Sequence, residues 1–412
     1  MYQKSHASDE GADLIGATAQ LLAEGGVHAA TTRAVAARAG ASSSLIRYRF
    51  GSVDRLIHAT LEECLREHVT VWDERAALWR SCGYFEESAP VTVHALAREA
   101  ATYRRDLFAH LWIALFRPDV SADFKLAWLD PFDQFWREVP LTAGTTGYER
   151  RLLTLFLANV ARGFLIAPSD ADFDPWFRVV CDRLVDRLSG RAPAGLGDSP
   201  WRLAIETTAG DPSEIEARGG TPWRIVSACA ELLLADSDSR ITHRLIAEKA
   251  GVSLSSMTHH FASLENIIVA ACRSLYWSLG QEHFYKKVAS NLPEPNVRDM
   301  LWSLPEQMRP GGNIIRSQLH MVARVTHLVS QFDAARPTAL ALHVQPGVRS
   351  SRMLENTAGL PPTDRIDGYM LSVLQTSAYL LADIEADADA SRQIAEAVQG
   401  LVLRLFPIPD FS

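Results

Sequence analysis

Apolar residues recur along much of the chain at intervals of three and four, which places them on one face of an α-helix. Leu14, Ala17 and Leu21 form the first such stretch, and Leu61 and Leu65 lie on one face of a longer one. The alternation of apolar and polar residues that is typical of strands does not appear. The pattern predicts an all-α protein.

The helical pattern contains an internal repeat. Residues 14–57 align without a gap on residues 225–268, at a constant offset of 211, with 14 identities in 44 pairs. The pairs include Thr31/Thr242, Arg33/Arg244, Ala36/Ala247, Ala39/Ala250, Gly40/Gly251, Ser42/Ser253 and Phe50/Phe261. A repeat of this length predicts two halves with the same architecture.

Each copy of the repeat predicts a helix-turn-helix. In the first copy Thr31 has a hydroxyl suited to cap a short helix, and Gly40 supplies the left-handed turn that ends it. Ser42 caps the next helix, which runs to Phe50. A helical hairpin with a structural role alone would also fit one copy, but two copies at a fixed spacing favour DNA binding.

The repeat and the changes in composition divide the chain into two tandem halves. The predicted domains are a helix-turn-helix unit over 10–58, a helical body over 59–189, a linker over 190–221, a second helix-turn-helix unit over 222–269 and a second body over 270–406. The last two helices of each body are predicted at 147–166 and 175–189, and at 366–385 and 391–405, after a loop over 346–364.

Composition narrows the class of protein. The net charge of -8 argues against indiscriminate coating of nucleic acid, although a local basic face is compatible with it. Five scattered cysteines without a C-x-x-C pair suit reduced thiols in a cytoplasmic protein and indicate no metal site. No signal peptide or membrane span is expected, and no cofactor. The motifs of nucleotide-binding loops, serine hydrolases and zinc proteases are absent, so we do not expect an enzyme.

The two motifs resemble the helix-turn-helix of the tetracycline-repressor (TetR-type) family of bacterial transcription regulators. The second copy matches the family signature at Thr242, Arg244, Ala247, Ala250-Gly251-Val252-Ser253 and His260-Phe261, and the first at Thr31, Arg33, Ala36, Ala39-Gly40, Ser42 and Phe50. The resemblance implies a three-helix DNA-binding unit on a helical body that binds an effector. It also implies pairing of subunits through their last two helices.

Family members are usually about half as long and work as homodimers. The resemblance therefore implies two subunits fused head to tail, so that one chain forms an intrachain pseudo-dimer. Such a chain would bind a double-stranded operator as a regulator, most simply a repressor that a small molecule releases. Whether chains pair further stays open. Some positions depart from the family: Arg47 and Thr258 replace a phosphate-contacting tyrosine, and Val53 and Leu264 replace a lysine.

Candidate DNA contacts are assigned by position and side-chain type. In the first copy they are Thr31, Arg33, Ser42, Ser43, Ser44, Arg47, Tyr48 and Arg49, and in the second Thr242, Arg244, Ser253, Leu254, Ser255, Thr258, His259 and His260. Residues 27–58 carry a net charge of +4 and residues 238–269 a net charge of zero. The first copy is therefore expected to bind DNA more strongly, since phosphate neutralisation supplies much of the affinity.

Aromatic residues concentrate in the first body and suggest a binding site for an apolar or aromatic effector. The candidate residues are His110, Trp112, Phe116, Arg117, Trp128 and Phe132, although rings in such a cluster can equally be core. One alternative function stays open: a helical protein that binds a small molecule or a partner regulator and in which one or both helix-turn-helix units have lost DNA binding.

Overall fold

The computed structural model describes most of the chain. The described residues are 14–24, 26–27, 29–81, 89–103, 105–117, 119–139, 142–166, 173–191, 220–234, 241–274, 296–309, 343 and 347–409.

The described residues contain helices and no strand, as the sequence pattern predicts. In the first half the helices are α1 (14–24), α2 (Thr32–Arg38), α3 (Ser43–Phe50), α4 (Val53–Ser81), α5 (Ala89–Thr102), α6 (Arg105–Leu115), α7 (Ala122–Ala127), α8 (Asp130–Glu138), α9 (Gly147–Ala161), α10 (Gly163–Ile166) and α11 (Phe173–Leu188). In the second they are α12 (Gly220–Leu234), α13 (His243–Ala250), α14 (Leu254–His260), α15 (264–274), α16 (Val297–Gln307), α17 (Gly347–Glu355), α18 (Arg365–Glu385) and α19 (Ala388–Leu405). None of the described helices is long and apolar enough to cross a membrane.

The turns of both copies of the repeat have the same local causes. The Thr31 hydroxyl accepts from the Ala34 amide at 3.2 Å and starts α2. Gly40 and Gly251 both have φ of +62°, a conformation that a residue with a Cβ rarely adopts, and this lets the chain reverse into the following helix. Each unit has its own apolar core, which the corresponding residues Ile46 and Met257 fill from α3 and α14.

A third core joins the two bodies. It contains α9 and α11 of the first half together with α16, α18 and α19 of the second, and α9 packs directly on α18 and α19. Helix α11 packs on the same two helices. The last helices of the two halves thus bury their apolar faces against one another within a single chain.

Several predicted boundaries need correction. The helix predicted over 147–166 breaks at Arg162 into α9 and α10, and α12 begins at Gly220, inside the predicted linker. The segment 346–364, predicted as a loop from its prolines and polar residues, contains α17. Met353 and Leu354 of α17 are buried, and α17 packs against α18, so tertiary packing outweighs the weak local preference. Residues 192–219 of the linker lie outside the described part of the chain.

A buried ion cluster lies where α11 meets the start of α18. Arg183 donates to Asp364 at 2.9 and 2.8 Å and to Asp367 at 2.9 Å. Arg187 donates to Asp367 at 2.9 and 2.6 Å and to the Pro362 carbonyl at 3.1 Å. Asp367 is fully buried, so its charge depends on the two arginines. The Asp364 and Asp367 carboxylates also cap α18, which ties the orientation of that helix to α11.

We predict that Asp367→Asn destabilises the chain strongly. The substitution leaves Arg183 and Arg187 buried with too little negative charge, and removing one partner of a buried ion pair costs about 3–5 kcal/mol. Urea unfolding of the full chain measures the change in free energy. The control is Glu306→Gln, whose pair with Arg309 is exposed and which should leave the unfolding curve unchanged. Equal effects from the two variants would contradict the prediction.

Candidate nucleic-acid interface

Helix α3 presents one polar face to solvent because its apolar face is anchored in the first unit. Ile46 is buried in that unit's core, whereas the Tyr48 side chain is 84% exposed. Arg47 and the hydroxyls of Ser43 and Ser44 are also exposed. These four candidate contacts therefore share a helix of the length and polarity that enters a DNA major groove.

The start of α2 supplies a second part of the same surface. Thr31 is exposed and its oxygen is engaged as the helix cap, which leaves its hydroxyl proton available for a phosphate oxygen. Arg33 follows in the first turn and is exposed. Helix N-termini attract anions because their amides point outward, so Thr31 and Arg33 suit contacts with the DNA backbone.

Arg38 in the first unit forms an internal ion pair that was not predicted from the sequence. Arg38 donates to both Glu24 oxygens, at 2.9 and 2.8 Å, and to Gln20 at 3.3 Å. These bonds hold the pKa of Glu24 below its ordinary value. Glu24 precedes residues 27–58, and adding it lowers the net charge of that stretch from +4 to +3. Arg38 fastens α2 to α1 and contributes little charge to a DNA surface.

The second unit presents the corresponding face with a different chemistry. On α14 the Met257 side chain is fully buried, whereas Leu254, the first residue of the helix, is 52% exposed. Ser255, His259 and His260 are exposed. The Thr258 hydroxyl donates to the carbonyls of Leu254 and Ser255, at 3.3 and 3.1 Å, so in this conformation it offers only an acceptor to a base edge.

Two basic residues near this second face, Lys249 and Arg224, are engaged internally. Lys249, which occupies the repeat position of Arg38, pairs with Glu231 at 2.8 Å. Arg224 donates to the carbonyls of Ala250 and Gly251 at 2.6 and 2.8 Å and so fixes the turn before α14. Of the candidates assigned from sequence, Arg244 is exposed in the first turn of α13, and Thr242 caps that helix by accepting from the Leu245 amide.

The six candidate effector residues take part in several separate contacts. The Trp112 and Phe116 rings stack at 5.6 Å, and Trp128 and Phe132 pack around His68, 4.4 and 5.7 Å from its ring. The Arg117 guanidinium binds Asp119, which His58 of α4 also contacts at 3.0 Å. The effector assignment of these residues stays a prediction.

His110 has a structural connection that sequence reasoning did not reveal. Its Nε2 donates to the Ala19 carbonyl of α1 at 2.8 Å, and its Nδ1 lies 3.3 Å from the Cys64 sulfur of α4. Both ring nitrogens are therefore used within the protein. The contact joins the first body directly to the first helix-turn-helix unit.

Comparison with known families identifies the first unit. Residues 14–60 match the family model of bacterial regulatory proteins, tetR family. The matched span covers α1, α2, α3 and the start of α4. The first unit of the chain is therefore a tetR-family helix-turn-helix unit. No curated protein sequence matches the chain.

The tetR-family match covers the exposed residues on α2 and α3 and agrees with the motif found in the first copy. It makes the first unit a helix-turn-helix of a DNA-binding regulator family. The matched residues lie in the first half of the chain, so the assignment of the second unit rests on the internal repeat and on its matching geometry. The roles of individual DNA-contacting residues stay predictions.

We predict that Ser42 and Ser253, which precede α3 and α14, differ in their contribution to stability. The Ser253 hydroxyl accepts from the Ser256 amide at 3.1 Å, whereas Ser42 makes no side-chain cap bond and lies 2.8 Å from the Ser44 hydroxyl. Losing a cap bond costs about 1 kcal/mol, so Ser253→Ala should accelerate amide exchange in α14 several-fold.

The matched variant Ser42→Ala should change exchange in α3 much less. Hydrogen exchange of the full chain, followed by mass spectrometry of peptides that contain each helix, measures both effects. Equal acceleration in α3 and α14 would show that the two caps are equivalent.

Proposed function

We propose that this protein is a single-chain transcriptional regulator whose two helix-turn-helix units read one operator. The observation that carries the proposal is the exposed α3 face, anchored by Ile46 and carrying Arg47 and Tyr48, on a unit of a DNA-binding family. The repeated geometry at α14 supports a second reader.

The packing between the halves supports an intrachain pseudo-dimer. Helices α9 and α11 of the first half bury their apolar faces against α18 and α19 of the second. Arg183 and Arg187 pair with acidic residues of the second half, and Arg151 pairs with Glu385 at 3.0 Å. The surfaces that a homodimer would use are thereby occupied within one chain, which leaves a single chain to span two half-sites.

The two readers are unequal in this proposal. Over the whole predicted units, residues 10–58 carry a net charge of +1 and residues 222–269 a net charge of -1. The first unit then supplies most of the phosphate contacts and affinity, and the second discriminates between sequences with Leu254, Ser255 and the histidines. An operator for such a chain need not be a perfect inverted repeat, because its half-sites meet different side chains.

Control by a small molecule is the second part of the proposal. We infer a repressor whose body transmits effector binding to the DNA-binding units. The His110–Ala19 bond supports this route because it connects α6 of the body to α1 of the first unit. A shift of α6 would displace that unit relative to the second and change the spacing of α3 and α14.

We predict that Arg47 and Arg38 make different contributions to DNA binding. Arg47 is exposed on α3 and Arg38 is bound to Glu24, so Arg47→Ala should lower affinity and reduce the salt slope by about 0.9, one phosphate contact. Arg38→Ala should leave the slope unchanged. Fluorescence anisotropy with DNA from around the chain's own gene, over a range of salt concentrations, measures both values.

Thr258→Ala tests the second reader in the same assay. Weaker binding with an unchanged salt slope is expected, because its side chain is assigned to a base edge. If Thr258→Ala binds like the unsubstituted chain, the second unit is a scaffold rather than a reader. Specific binding that is insensitive to salt, or no specific binding, would instead favour the interaction-protein alternative.

A further inference from the structure

A buried polar cluster lies between the two halves, at the break between α9 and α10. Arg162 is at the break and is only 6% exposed, and its guanidinium donates to His343 Nδ1 at 2.9 Å. His343 Nε2 donates to the Val160 carbonyl at 3.0 Å. This pattern fixes the proton of His343 on Nε2 and the ring in its neutral form. Burial accordingly holds the pKa of His343 well below its ordinary value and lowers that of Arg162 to about 10.

Aromatic rings from both halves lie near Arg162 and His343. The Arg162 guanidinium lies 5.5 Å from the Trp112 ring centre, and the His343 ring lies 6.3 Å from Tyr369 of α18. Tyr369 in turn meets Trp176 edge-on at 4.7 Å. The cluster thus combines a positive charge with an aromatic wall, and it is built from α6, α9–α11 and α18.

Two donors in this cluster have no acceptor among the residues that the structure describes. They are the Tyr369 hydroxyl and the Trp112 indole N–H, and both side chains are more than nine-tenths buried. A buried donor without an acceptor costs free energy, because it has lost its hydrogen bonds to water. The Trp112 ring lies against the Arg162 guanidinium, and the Tyr369 ring lies against the His343 ring to which Arg162 donates. An acceptor that also carries negative charge would therefore suit this cluster best.

We propose that this cluster is the binding site for a small aromatic carboxylate. Its carboxylate oxygens would accept from Tyr369 and Trp112 beside the Arg162 charge, and its ring would pack on the Trp176 side of the cluster. A neutral aromatic amide of the same shape would fit less well, because its N–H₂ group would face donors and a cation. Both halves contribute to the site, which is incomplete in either one alone.

The cluster is connected to both helix-turn-helix units. Trp112 follows His110 on α6 by two residues, and His110 holds the Ala19 carbonyl of the first unit. On the other side, Ile166 ends α10, four residues after Arg162, and packs in the core of the second unit. Binding at Arg162 would therefore act on the attachments of both units. This control of DNA binding rests on the proposed function, whereas ligand binding itself does not.

The experiment is isothermal titration calorimetry of the full chain, without DNA, using benzoate and its neutral counterpart benzamide. We expect benzoate to bind at millimolar or lower concentration and at least tenfold more tightly than benzamide. No benzoate binding at millimolar concentration, or equal affinity for the two compounds, would overturn the proposal.

Two tyrosine variants of α18 locate the site. Tyr369→Phe should weaken benzoate binding about tenfold, the factor expected for a hydrogen bond to a charged group, while the ligand-free chain stays as stable as before or becomes more stable. The control is Tyr379→Phe: its hydroxyl donates to Gln307 at 2.6 Å, so that variant should be destabilised and should keep benzoate binding. Unchanged binding by Tyr369→Phe would overturn the proposal.

A separate arm distinguishes this site from the proposed regulation. Anisotropy of labelled DNA with added benzoate reports whether occupation of the site weakens DNA binding in the unsubstituted chain but not in Tyr369→Phe. Benzoate binding without an effect on DNA would leave the site standing and remove its role in control. If benzoate does not bind in calorimetry while the chain binds DNA normally, the ligand site is wrong and the proposed DNA-binding function stands.

Discussion

The orientation of the two halves depends on a small set of buried charges. Asp367 accepts from Arg183 and Arg187 while it is fully buried, and with Asp364 it also caps α18. Buried charges tolerate little displacement, because each needs its partners at hydrogen-bonding distance. An apolar interface alone could slide along its helices. The ion cluster fixes one register between α11 and α18, and with it the placement of everything that the two bodies carry.

The register of α11 on α18 positions the proposed DNA-binding units and the proposed ligand site. The candidate DNA-contacting helices α3 and α14 are positioned by separate apolar cores, but the contacts that join the two units to the rest of the chain arise in the bodies. The first unit is held through His110 and the Ala19 carbonyl, and the core of the second includes Ile166. Between these attachments lies the cluster of Arg162, His343 and Tyr369, to which both halves contribute. A ligand there would act where the structure already couples its parts.

Much of this architecture could be predicted from sequence because its causes are local. Thr31, Gly40 and Ile46 determine a cap, a turn and a core contact within 16 residues, and the repeat supplies the same information a second time. What sequence could not provide is pairing between distant side chains. The pairing of Arg38 with Glu24 could not be predicted without the angle between α1 and α2. The one sequence signal was that Lys249, at the matching position of the second copy, is also basic, and it is paired too. Arg162 and His343 are 181 positions apart in sequence, and no pattern in the sequence predicts their contact. Helix α17 was missed because its stability comes from packing on α18.

The most direct test of the account is the mass of the complex with DNA. Purified chain and a DNA duplex that carries its operator would be measured by size-exclusion chromatography with multi-angle light scattering, at protein concentrations above saturation. If one chain is a pseudo-dimer with both readers engaged, the complex contains one chain of 45.5 kDa per duplex. Two chains per duplex would contradict the account, because each chain would then act as one subunit of a larger dimer.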